Sequence, residues 1–78
     1  MTPEAAIRAH LRHPDYHARL SELGNAADLT ADLGLCEVDR LCIGCDLEMA
    51  HNVEFPGEDV LAWRTVADVV RTLEACPC

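Results

Sequence analysis

The sequence predicts an all-α protein, a single small bundle of about four helices, and three observations carry that prediction. Half of the 78 residues are apolar, but the chain holds one Trp, one Tyr and one Phe, so its core is built from Leu, Val, Ile and Ala. Runs of alternating β-branched residues are few, which disfavours a sandwich or barrel. Two stretches, 37–52 and 65–74, repeat apolar residues at three- and four-residue intervals, the period of a helix. At this length the chain is one domain, residues 1–78, near the lower limit for a core without disulfide or metal support.

Thr2-Pro3-Glu4 is a helix start: Thr caps, Pro suits the first helical position, and Glu meets the positive end of the dipole. Ile7 and Leu11 follow one turn apart. His13 precedes Pro14 and is pushed out of helical geometry, so residues 3–23 form either one kinked helix or two. Tyr16, Leu20 and Leu23 share a face before Gly24-Asn25 ends the segment.

Residues 24–36 read as a long loop. Asn25, Asp28, Thr30 and Asp32 form turns and caps, Leu29, Leu33 and Leu35 are apolar pegs, and Gly34 permits backbone angles closed to other residues. A helix is predicted from Glu37 to Asn52 with two apolar stripes. Val38, Leu41, Cys42, Cys45 and Met49 make one, and Ile43, Leu47 and Ala50 the other. A helix on a single core needs only one, so the second faces solvent or a partner.

Phe55-Pro56-Gly57 is expected to stop that helix. Glu58 to Ala62 make a short one with Val60 and Leu61 inward. Thr65-x-x-Asp68 is a capping box opening the last helix, whose face is Val66, Val69, Val70 and Leu73. Trp63 lies between these two helices and is expected to be a core or hinge plug instead of a binding platform. Cys76-Pro77-Cys78 cannot continue the last helix.

Fourteen acids against six Arg, with no Lys, give a net charge of −8. That balance repels phosphate backbones, excludes nucleic acid as a partner and suits a basic patch on another protein. No segment reaches the roughly 18 apolar residues of a membrane span, and the N-terminus lacks a signal-peptide layout. A cytoplasmic monomer is expected, with its five cysteines reduced, an odd number that argues against a closed disulfide framework.

Asp32-Leu33-Gly34-Leu35, the acidic helix from Glu37, Val53-Glu54-Phe55-Pro56 and Thr65-Val66-Ala67-Asp68-Val69-Val70, at these separations, resemble the acyl carrier protein family over residues 27–74. Residues 1–26 resemble it only loosely, His13-Pro14-Asp15-Tyr16 being unusual. The resemblance implies a four-helix bundle with the first, second and fourth helices long and the third short. It also implies an acyl chain carried as a thioester on a phosphopantetheine arm, attached to Ser in an Asp-Ser-Leu triplet at the start of the second helix.

In this chain the triplet reads Cys36-Glu37-Val38. Glu37 stands at the attachment position and offers no hydroxyl for the phosphodiester. Ser21, the only Ser in the chain, is in the wrong place with the wrong neighbours. No cofactor and no catalytic residue are therefore expected. What the resemblance leaves is docking: in the family the exposed start of the second helix binds basic patches of synthases and acyl-transfer enzymes of fatty-acid and polyketide metabolism. The matching surface is Glu37, Val38, Asp39, Leu41, Cys45 and Glu48. Two further departures, Asp46 for a small apolar residue and His51 for a Phe, are expected to be partly exposed.

A second class of function rests on Cys42-Ile43-Gly44-Cys45. Two thiols one helical turn apart can share a metal, with His51, Cys76 or Cys78 completing a set, or act as a thiol switch. No second pair stands at finger-like spacing, and the blander reading makes both cysteines small apolar fillers. Cys36 is expected to be a partly exposed helix-start residue. His10, His13 and His17 would share a face on an unbroken helix, where they could form a metal or pH-sensitive patch; a solvated surface is the simpler expectation.

Overall fold

The computed structural model describes residues 1–76. Among these, five α-helices and no strand are found: α1 Pro3–Arg8, α2 Pro14–Leu23, α3 Glu37–His51, α4 Gly57–Ala62 and α5 Val66–Ala75, with a 3-10 turn at Gly24–Ala26 after α2. They enclose one aliphatic core centred on Ile7, Leu20, Leu29, Leu33, Ile43, Leu47 and Val69.

The open question over residues 3–23 resolves as two helices. Thr2 caps α1, its Oγ1 accepting the Ala5 N–H at 3.1 Å. His13 is extended, with φ −131° and ψ 148°, and Pro14 begins α2. Arg8 then ties the two helices together. Its guanidinium donates to the His17 carbonyl at 3.2 Å and to Ser21 Oγ at 2.7 Å. Leu23 does not share the inward face with Leu20; it is exposed, because Gly24 turns the chain at positive φ directly after it.

The loop from 27 to 36 is tightly organised. Asp28 Oδ1 accepts the N–H groups of Thr30 and Ala31, and Asp32 Oδ2 accepts that of Asp28. Leu29, Leu33 and Leu35 are buried pegs. The loop is also clipped to the start of α5: the Leu29 N–H donates to the Arg64 carbonyl at 2.8 Å, and the Val66 N–H to that of Ala27 at 3.1 Å. Gly34 has φ 66°, and a Cβ there would lie 2.7 Å from the Tyr16 hydroxyl oxygen.

α3 turns Ile43, Gly44 and Leu47 inward. The absence of a side chain at Gly44 lets α4 approach, since a Cβ would stand 3.3 Å from both Val60 methyls. The helix ends at His51, one residue short of the expected Asn52. Asn52 adopts a left-handed conformation, the Val53 N–H returns to the Glu48 carbonyl, and the Phe55 N–H donates to Glu48 Oε2 at 2.8 Å. Phe55 packs edge-on against Trp63, and Pro56-Gly57 starts α4 instead of ending α3.

α4 is too short to bury both of its large residues: Val60 takes the inward place and Leu61 stays exposed. α5 opens with the capping box foreseen at Thr65 and Asp68. Val66 and Val69 are buried, while Val70 and Leu73 cover the edge of the core. Trp63 is a core residue whose Nε1 donates to Thr72 Oγ1 at 2.8 Å.

Candidate functional site

The longest helix, α3, carries several exposed apolar groups along one stripe. Val38 is 64% exposed, Leu41 44% and Met49 83%, and Cys42 and Cys45 are exposed on the same stripe. Burial of Ile43, Gly44 and Leu47 fixes the rotation of the helix. The two cysteines are therefore not core fillers. They are free thiols on the outer face.

Glu37 is the first residue of α3 and is exposed, at the outer lip of the helix start. Cys36 before it is the capping residue, also exposed, with Sγ 3.3 Å from Asp39 Oδ2. Asp39, expected on the docking surface, is buried and belongs to the fold. Its Oδ2 accepts the Cys36 N–H at 3.0 Å, and Arg12 reaches the same carboxylate at 3.2 Å. The Cys36 N–H, with help from the thiol, Arg12 and His10, holds its carboxyl below the ordinary Asp range against the opposing effect of burial. Glu48 is half-buried and engaged in the chain reversal at Phe55, so only part of it faces outward.

Asp46 and His51, foreseen as partly exposed, each hold part of the N-terminal segment. His10 Nε2 donates to Asp46 Oδ2 at 2.9 Å, and His51 Nε2 donates to the Met1 carbonyl. The three N-terminal histidines do not form a patch, because the break at His13 splays them. His10 meets Asp46, His13 lies 5.6 Å from the Tyr16 ring centroid, and His17 neighbours Arg8. Sequence reasoning missed the His10–Asp46 contact, which joins residues 36 apart.

Among the described residues no three His, Cys, Asp or Glu side chains converge as metal ligands. His51 and Cys76 thus do not complete a set with Cys42 and Cys45; Cys78 lies outside the described residues. A shallow groove of about 220 Å³ runs between α4 and α5, lined by Asp59, Trp63, Asp68, Arg71 and Thr72. Of its polar groups, Arg71 pairs with Asp68 and Trp63 with Thr72.

Comparison with protein-family models, with curated proteins and with solved structures finds no match to this chain.

Proposed function

We propose that the chain is an acyl-carrier-like docking module without a prosthetic arm, acting on synthase- or transferase-type enzymes of fatty-acid or polyketide-type metabolism through the outer face of α3. In this reading α1 and α2 together take the place of the family's first helix, and α3, α4 and α5 correspond to its long second, short third and long fourth helices. Support comes from the order of the elements, from the Asp32–Leu35 loop leading into α3, and from the short helix after Phe55-Pro56.

The observation that carries the reading is Glu37: an exposed carboxylate on the first turn of α3, where the resemblance expects an esterified Ser. Beside it stand Val38 and Leu41, apolar and exposed, with Cys45 one turn further on. A net charge of −8 steers such a face toward a basic partner, and the apolar centre supplies contact once it has docked. Asp39 is no part of this surface, and Glu48 contributes only its outer edge.

Intact mass after incubation with coenzyme A and a broad-specificity phosphopantetheinyl transferase tests the proposal. Wild type should gain nothing. Glu37→Ser, or the restored triplet Cys36→Asp/Glu37→Ser/Val38→Leu, should gain one arm. Asp caps helices well, so the triple variant keeps the start of α3 intact. A mass gain on wild type, or none on either variant with the helical circular dichroism preserved, overturns the reading.

A further inference from the structure

Three sulfur atoms stand on one stripe of α3. At about 3.6 residues per turn, Cys42, Cys45 and Met49 fall within an arc of about 60° and about 10 Å of helix axis. All three are exposed, and both cysteines are free thiols. Cys42 and Cys45 are i,i+3 neighbours, and Met49 is i+4 from Cys45, the spacings at which helical side chains meet. Side chains on a helix lean toward its N-terminus, which carries the Met49 thioether back over the turn that holds Cys45.

We propose that Cys42, Cys45 and Met49 form a sulfur-only site for one cuprous ion. Thiolate and thioether are soft donors that select a soft cation. Zinc in a structural site takes four tetrahedral ligands, and the described residues bring no further His, Cys, Asp or Glu to this pair. Asp46, next to Cys45 in the chain, is engaged by His10 at 2.9 Å. A cuprous ion is satisfied by the two thiolates with the thioether as a weaker third donor. On binding, each thiol gives up its proton to solvent, so one Cu(I) enters, two protons leave, and the bound group carries a single negative charge. The copper stays in one oxidation state throughout. The site does not depend on the docking role.

Anaerobic titration of the full chain with Cu(I), against a chromophoric cuprous chelator, tests it. One equivalent should bind per monomer, with thiolate-to-copper charge-transfer absorption. Cys42→Ser/Cys45→Ser should abolish the strong binding. Met49→Leu should weaken it by about tenfold, on the scale of losing a supporting metal contact. Cys36→Ser/Cys76→Ser/Cys78→Ser should retain full binding. The inference is overturned if the Cys42/Cys45 variant still takes one equivalent, if the Cys36/Cys76/Cys78 variant loses it, if Met49→Leu has no effect, or if half an equivalent binds with dimerisation. Cys36, Cys42, Cys45 and Met49 are exposed, and circular dichroism checks that each variant keeps its helices.

Discussion

Asp39 has one oxygen shared by a backbone N–H, a thiol and an arginine, and it anchors the start of α3. Asp68 does the same for α5, accepting the N–H groups of Arg64 and Thr65 and pairing with Arg71, contacts that hold its carboxyl low as well. In the unfolded chain such groups titrate near about 3.9. Their folded values lie lower, so the stability they add is complete above the unfolded value and is lost as pH falls through the folded one. Asp39→Asn should cost about 1–2 kcal/mol at neutral pH, as expected for a lost cap and its charge-assisted bonds. It should also flatten the fall of stability below about pH 4. Urea unfolding of both proteins over that pH range decides it; parallel curves would deny Asp39 the role. The cap at Thr65 is readable because Thr and Asp three apart are a familiar pair. The one at Cys36 is not, since Cys is not among the preferred capping residues and an acid on the first turn of an exposed helix reads equally as a docking charge.

Periodicity predicted α3 to within one residue of each end, because an amphipathic helix of four turns carries its own signal. It could not say which stripe faces inward. That choice rests on Gly44, where the lack of a side chain admits Val60, a contact between elements that a sequence pattern does not display. The same limit applies to the segment from 27 to 36. Its leucine pegs were legible, but its attachment to Arg64 and Val66 is long-range. Gly34 is the point where that segment presses on α2, and it yields a sharp expectation. Gly34→Ala forces a side chain into left-handed geometry, a cost of about 1–2 kcal/mol, and drives a Cβ against the Tyr16 ring. The variant should be destabilised by about 2 kcal/mol, about 10 °C in melting temperature for a domain of this size. Tyr16→Ala/Gly34→Ala should recover the steric part but not the backbone part. An unchanged melting temperature in Gly34→Ala would mean that the loop relaxes freely.

At the scale of the whole molecule, charge outweighs any single contact. Fourteen acids and six arginines occupy a body of 33 × 20 × 18 Å, and three Arg–carboxylate ion pairs are found among the described residues. Two of those pairs, Arg8 with Glu4 and Arg71 with Asp68, are local to one helix, so they do little to hold the bundle together. The remaining acids repel one another across the surface, which opposes compaction. At about 0.01 M salt the screening length is about 30 Å, nearly the long axis of the molecule, and every acid feels every other. At about 0.15 M it falls to about 8 Å, less than half the short axis, and the distant repulsions are cut while the close pairs persist. Melting temperature should therefore rise as sodium chloride is added over this range. The rise should be largest near neutral pH and fade as the carboxylates protonate below about pH 4, where the excess negative charge disappears. Thermal unfolding followed through the single Trp63, which is buried when folded, measures both trends. A melting temperature that falls with salt at neutral pH would show that the close pairs, with Arg12–Asp39 foremost, contribute more than the crowd of like charges takes away.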